Sequence, residues 1–133
     1  MDYSGRKDLV DTKFSFKRLK NSFKYAFQGI VSAYKGEQNL KIHTFVAILV
    51  IICGFIFHIS ETEWIVICTI IGLVLMAEFI NTSLEFLVDL VSPEKNEIAK
   101  ACKDTAAAAV LMMVIMSVVV GLIIFIPKIG GLL

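Results

Sequence analysis

Three carboxylates and a carboxamide lie in the second half of a long apolar segment, and their spacing places them on one side of a helix. At about 100° per residue, Asn81 lies about 60° around the helix from Glu78, while Glu85 and Asp89 each lie about 20° from it. Thr82, four residues after Glu78, joins this polar stripe, which is about 16 Å long at 1.5 Å per residue. Because a charged group in a bilayer is costly, the stripe must face a partner, a cavity or an ion.

Two other parts of the chain carry polar groups that could work with this stripe. Glu37 precedes the first apolar span, and Lys103 and Asp104 follow the connection after the stripe. Mg²⁺ is commonly held by one or two carboxylates together with phosphate oxygens, so Glu37 and Glu85 could hold this ion. Lys103 could neutralise phosphate oxygens. Glu78, deeper in the membrane, is suitably placed to take a proton from a lipid hydroxyl.

The composition is that of a membrane protein. The chain has 133 residues, of which 57% are hydrophobic, and its mean hydropathy is +0.79, outside the range of soluble globular domains. Its basic residues precede a membrane segment without base-stacking aromatics on a polar face, so no nucleic-acid partner is expected. The three cysteines lack metal or C-x-x-C spacing. The pattern G-x-x-x-x-G-K-S/T is missing, which excludes a P-loop.

The polar stripe is positioned by an all-α chain that we interpret as one membrane domain, residues 1–133. Aromatic and aliphatic residues recur at helical spacing from residue 15, with lysines to one side, which is typical of an amphipathic helix lying on a membrane surface. Three apolar stretches long enough to span follow it. The predicted segments are a flexible start at 1–14, a surface helix at 15–35, and transmembrane helices at 40–59, 63–91 and 105–127.

The basic residues predict the topology. Nine of the 13 Lys and Arg residues lie in residues 1–41, three lie in 95–103, and the short loop 60–63 has none. The positive-inside rule therefore places the N-terminus and the second loop in the cytoplasm. Glu37, the Glu85 end of the polar stripe, and Lys103 would then share the cytoplasmic side.

These residues by themselves leave three classes of function open: a membrane enzyme, a transporter subunit, and a structural or assembly protein. In a small proton-coupled transporter, Glu78 would be the proton carrier within the membrane. A transporter needs a water path that reaches both sides. The opposite half of every span lacks ionisable groups apart from His58, so the carboxylates serve one side, which favours an enzyme.

The chain resembles the small integral-membrane bacterial diacylglycerol kinase family, which includes the undecaprenol kinases. The resemblance extends from about residue 14 to residue 126 and rests on four patterns. Residues 78–89 read E-x-x-N-T-S-x-E-x-x-x-D, and residues 101–104 read A-C-K-D. Residues 37–43 read E-x-N-x-x-I-H, and residues 16–30 match the family's surface helix.

The resemblance implies a lipid kinase that works as a homotrimer, with active sites between neighbouring protomers at the cytoplasmic interface. ATP would be the phosphoryl donor and a long-chain lipid alcohol the acceptor. His43 and the surface helix resemble the Gram-positive branch, which favours undecaprenol over diacylglycerol. By this resemblance Glu78 would be the catalytic base and a lipid contact, Asn81 would support the reacting centre, and Asp89 would support the site. Glu37 and Glu85 would be Mg²⁺ ligands, and Arg18 would contact both lipid and ATP. The remaining implied contacts of the nucleotide are Tyr25, Glu94, Lys95, Asn96, Lys103 and Asp104.

Overall fold

The computed structural model describes residues 15–131, and within them every regular element is an α-helix. The all-α prediction is therefore confirmed. The predicted flexible start, residues 1–14, lies outside the described residues. Contacts divide the chain into two units between Ser32 and Ala33. The helices are α1 (Phe16–Gly36), α2 (Gln38–Ile56), α3 (Glu61–Val91) and α4 (Glu97–Gly130).

The first unit contains most of α1, and this helix is amphipathic. Phe16, Phe23 and Phe27 are all well exposed, and they recur at intervals of three to four residues or multiples of them, so they fall on one stripe. Lys17, Lys20 and Lys24 are exposed to solvent beside this stripe. Exposed aromatic side chains next to lysines are typical of a helix at a membrane interface.

Local signals in the sequence set the ends of α2 and α3. Glu37 is extended, with φ of −106° and ψ of 120°, and separates α1 from α2. After α2, His58 takes a positive φ of 48°, which turns the chain back on itself. Ser60 then begins α3 with a capping box, in which its hydroxyl accepts from the Glu63 N–H and the Glu63 carboxylate accepts from the Ser60 N–H. At the other end, Ser92 precedes a proline, which disfavours further helix.

The fourth helix begins at Glu97, whereas hydropathy predicts a transmembrane helix from residue 105. Asn96 supplies the cap, because its Oδ1 accepts hydrogen bonds from the backbone N–H groups of Ile98 and Ala99. The charged residues after it are compatible with a helix that continues beyond the apolar region. Lys103 and Asp104 consequently lie on a helix, in its second turn, and the non-helical connection is limited to residues 92–96.

Within the second unit, α3 is the central element and packs against both α2 and α4. Antiparallel packing places Gly36 near Phe86 and Glu63 near Lys128. We call the end of the bundle that holds Glu37, Glu85 and Asp89 the acidic end, and the opposite end the Ser60 end. Ile59, Ile67 and Ile124 form the buried apolar cluster near the Ser60 end, with Trp64 and Phe125 packed around it.

The surface of this single chain is largely apolar. Ile65 and Ile123, for example, are each 68% exposed. Helices α2, α3 and α4 are each long and apolar enough to cross a bilayer, so the lipid would cover these side chains. The prediction of a membrane protein with three spanning helices is confirmed.

Candidate active site

Glu78 is the most deeply buried charged side chain among the described residues. The residue is 1% exposed, whereas its apolar neighbours on the same helix, Met76 and Ile80, are 52% and 53% exposed. In this part of α3 the charged side chain is buried and apolar side chains are exposed, which is the reverse of the arrangement in a soluble protein. A buried carboxylate needs a hydrogen-bonding partner, because its desolvation is otherwise uncompensated.

The partner of Glu78 is His43 of α2. Its Nε2 lies 3.0 Å from Oε1 of Glu78. In the sequence analysis His43 is only part of a family pattern, because a single histidine near the start of a span is more often structural than functional. The signal that could have identified it is its depth: an ionisable side chain within a membrane helix generally faces another polar group.

Asn81 and Thr82 continue the buried polar surface, and each has an atom without a hydrogen-bond partner. Asn81 is 5% exposed and Thr82 is 2% exposed. The Asn81 amide Nδ2 donates to Oε1 of Glu85 at 3.0 Å, but Asn81 Oδ1 and Thr82 Oγ1 are buried and unpaired. Because buried polar atoms are rarely left unpaired, these two oxygens indicate a place for a ligand, water or further chain.

Glu37 and Glu85 bring two more carboxylates to the acidic end. Both side chains are half-buried, and both lie close enough to Glu78 for their charges to act on it. Glu37 comes from the start of α2, and Glu85 lies two turns along α3 from Glu78. The predicted convergence of Glu37 with the polar stripe is therefore present in the structure.

The donor set of this cluster fits Mg²⁺ bound together with phosphate. Among residues 15–131, no group of three or more His, Cys, Asp or Glu is arranged to hold a metal without other ligands. Mg²⁺ does not need such a group, because it is usually held by one or two carboxylates, phosphate oxygens and water. Glu37 and Glu85 provide two carboxylates, and Asn81 Oδ1 provides an unpaired buried oxygen beside them.

Lys103 of α4 lies beside this cluster. Its Nζ is 2.5 Å from Oδ1 of Asp89, and the charge of Glu85 also acts on it. Asp89 thus holds Lys103 from the neighbouring helix, which is consistent with the supporting role implied for Asp89. The two residues border an open cavity of about 830 Å³ around the α3–α4 connection.

The other predicted nucleotide contacts differ in their surroundings. Glu94 and Lys95 line the same cavity as Lys103. Asn96 lines it too, but its side-chain oxygen caps α4, a structural role that the sequence analysis did not assign. Asp104 also borders this cavity, and its carboxylate pairs with Lys100 one turn earlier on α4.

Arg18 and Tyr25 belong to the first unit and are described by themselves. The Arg18 carbonyl accepts a hydrogen bond from the Ser22 hydroxyl at 3.0 Å, and Tyr25 is 63% exposed. Their assignment to the nucleotide remains a prediction.

Comparison with known proteins decides the family. The profile of the family described as prokaryotic diacylglycerol kinase matches residues 24–125, which is most of the chain. This protein belongs to the prokaryotic diacylglycerol kinase family. The matched region contains the whole cluster around Glu78 together with Lys103 and Tyr25, whereas Arg18 precedes it.

Individual members of the family are similar over nearly the whole chain. An undecaprenol kinase of Bacillus subtilis is 38% identical over 91% of this chain and 98% of its own length. A diacylglycerol kinase of Synechocystis is 37% identical over 84% of this chain and 65% of its own length. A diacylglycerol kinase of Haemophilus influenzae is 32% identical over 80% of this chain and 92% of its own length. The family is therefore one of lipid kinases with more than one named acceptor.

Proposed function

We propose that this member of the prokaryotic diacylglycerol kinase family transfers the γ-phosphoryl group of ATP to the hydroxyl of undecaprenol. The observation that carries the proposal is the buried carboxylate of Glu78 on a helix whose other faces suit lipid. A base at this position can reach a lipid alcohol in the membrane. The half-buried carboxylates of Glu37 and Glu85 lie towards the acidic end, where a water-soluble nucleotide can approach.

The proposed chemistry follows from the positions of these three carboxylates relative to the acidic end. Glu78 accepts the proton of the lipid hydroxyl as the alcohol oxygen forms its bond to the γ-phosphorus. The bond between that phosphorus and the bridging oxygen to the β-phosphate breaks, and ADP leaves. Glu37 and Glu85 would hold Mg²⁺, which neutralises phosphate charge when it is bound. Phosphoryl transfer depends mainly on such positioning and charge stabilisation.

Lys103 and Asp89 would orient the nucleotide at the boundary of the site. A lysine acts as a mobile positive charge for phosphate oxygens. Its pairing with Asp89, a residue that is well exposed, costs little to exchange for a phosphate contact, because exposed ion pairs are weak. Glu94 and Lys95 border the same open cavity, and the family resemblance also assigns Arg18 and Tyr25 to nucleotide binding.

The proposal includes a homotrimer with shared active sites and a cytoplasmic N-terminus. The buried, unpaired oxygens of Asn81 and Thr82 support a site to which a neighbouring protomer contributes. The basic residues around α1 and at the start of α4 support the orientation. The molar mass of the detergent-solubilised protein tests the assembly: a trimer is expected, and a monomer that turns over lipid and ATP would contradict a shared site.

The acceptor is tested by competition. Purified protein in mixed micelles receives labelled ATP with equal mole fractions of undecaprenol and diacylglycerol, and the labelled lipids are separated. Undecaprenyl phosphate is expected as the main product, in line with the Bacillus subtilis relative. Phosphatidic acid as the main product would instead favour diacylglycerol as acceptor, as the names of the Synechocystis and Haemophilus influenzae relatives suggest. ATP consumption that needs neither lipid would contradict a lipid kinase.

A further inference from the structure

The contact between His43 and Glu78 joins two helices at the centre of the site. The distance from His43 Nε2 to Glu78 Oε1 is 3.0 Å, and the side chains are 22% and 2% exposed respectively. We propose that His43 is a positioning residue: its Nε2–H group holds Oε1 of Glu78, so that the second carboxylate oxygen is presented to the lipid hydroxyl. This inference rests on the proposed role of Glu78 as the base.

The charges around Glu78 make such a partner necessary. The titratable groups that act on it are Glu37, which precedes α2, His43 of α2 and Glu85 of α3. Two of these three are carboxylates, which oppose a further negative charge at Glu78. His43 is the group that favours the ionised form, because a hydrogen bond donated to a carboxylate stabilises its charge. An ionised Glu78 is the form that can accept a proton.

The surroundings of His43 favour positioning over proton transfer to water. His43 lines a cavity of about 440 Å³ among α2, α3 and α4, whose lining includes Val50, Phe57, Val74 and Phe125. Apart from His43, the Ser117 hydroxyl and the Cys53 thiol are the polar groups in this lining. In this largely apolar setting the imidazole has the Glu78 carboxylate as its hydrogen-bond partner, an arrangement that suits a positioning role.

The contact also limits the movement of the catalytic side chain. A glutamate has several rotatable bonds, and an unrestrained carboxylate would occupy many orientations. A hydrogen bond from the adjacent helix selects one of them. The reacting oxygen is then in place before substrate binds, which lowers the barrier to transfer.

Two substitutions at one position separate donation of a hydrogen bond from other roles. His43→Gln keeps an N–H donor at about the reach of Nε2, whereas His43→Leu removes it. We expect His43→Leu to lower kcat about 10- to 100-fold with the KM for MgATP within about twofold of the original. The acid limb of its kcat–pH profile should move to higher pH, because the carboxylate loses a hydrogen bond that stabilises its charge. His43→Gln should retain kcat within about fivefold.

His58 supplies the matched control, because it lies in the turn at the Ser60 end, where its φ is positive. His58→Asn, which suits that conformation, should leave kcat and the pH profile unchanged. If His43→Leu does not fold, His43→Asn replaces it, since the shorter amide does not reach Glu78 and should show the same loss relative to His43→Gln.

Several results would overturn the inference. Equal loss in His43→Gln and His43→Leu would mean that the imidazole itself transfers protons. Turnover and a pH profile like the original in His43→Leu would mean that the contact has no role. Failure of the proposed function is a separate result, since the unsubstituted protein would then lack lipid-dependent ATP consumption, or Glu78→Gln would keep it.

Discussion

Replacement of Glu78 by glutamine separates the catalytic from the structural role of this buried group. Glutamine has nearly the same shape, and its Oε1 can still accept a hydrogen bond from Nε2 of His43, 3.0 Å away in the structure. It cannot accept the proton of an alcohol. Loss of a general base typically costs 10²- to 10⁴-fold in rate, or about 3 to 5 kcal/mol in the activation free energy. We expect a fall in kcat of this size.

The same substitution should not weaken the fold. Glu78 is 1% exposed, and the charges of Glu37 and Glu85 act against its own. An amide carries no charge to desolvate and is not repelled by the two carboxylates. A neutral side chain of the same shape costs less to bury than a charged one. We therefore expect the free energy of unfolding to stay the same or rise by on the order of 1 kcal/mol.

The assay measures lipid-dependent ATP consumption and thermal unfolding on the same preparation. Glu63→Gln is the matched control on the same helix, since Glu63 accepts hydrogen bonds from the N–H and hydroxyl of Ser60 and pairs with Lys128 at 3.0 Å. Its expected pattern is the opposite: a lower Tm with kcat retained. Near-normal turnover of Glu78→Gln would refute its role as base, and a large loss of stability would show that the carboxylate is structural.

Three further substitutions test other parts of the structure. Glu85→Gln should raise the Mg²⁺ concentration needed for half-maximal rate about tenfold or more, as measured by Mg²⁺ titration at fixed ATP. Gly54→Ala should lower the free energy of unfolding by about 1 to 3 kcal/mol, measured in denaturant, because its Cβ would lie 2.7 Å from the Trp64 ring. Lys103→Met should raise the KM for MgATP about tenfold, whereas Lys100→Met should change it less than threefold.

Each of these three substitutions has a matched control variant at another position of the chain. Glu61→Gln, at the opposite end of α3, should leave the Mg²⁺ titration unchanged, and an unchanged titration in Glu85→Gln would discard its role in metal binding. Gly72→Ala has free space around the added carbon and should not destabilise; equal losses at both glycines would contradict the packing argument. Equal KM values for the two lysine variants would remove Lys103 from the nucleotide site.

The order of the helices and the polar stripe could be predicted because both depend on local pattern. Hydropathy gives the spans, and a period of 3.6 residues places Glu78, Asn81 and Glu85 on one side of α3. The start of α4 could not be obtained in this way, since hydropathy follows the apolar region and the helix extends beyond it. The cap at Asn96 sets its start, and a cap is a weak signal among several polar residues.

Contacts between side chains of different helices were harder to predict than which residues share one face of a single helix. The sequence indicated that Glu37 and Lys103 would lie near the polar stripe, but it could not show that Asp89 holds Lys103 or that His43 contacts Glu78. Such contacts depend on the axial register and rotation of antiparallel helices, and neither is encoded by a single segment. The capping role of Asn96 was missed because a polar residue near the start of a helix can either cap the helix or bind a ligand. Its type alone does not distinguish the two roles.

The two ion pairs between α3 and α4 also mark the polar ends of this pair of helices. Glu63 pairs with Lys128, and Asp89 pairs with Lys103, so about 39 Å of α3 separates the pairs at 1.5 Å per residue. This is close to the 40–45 Å thickness of a typical bilayer including its headgroup regions. In thinner membranes the hairpin must tilt or deform the lipid around it, at a modest cost for each ångström of mismatch. The depth of Glu78, about 16 Å along the helix from Asp89, would then change relative to the substrate hydroxyl. We therefore expect acyl-chain length in the surrounding membrane to change turnover at fixed concentrations of both substrates.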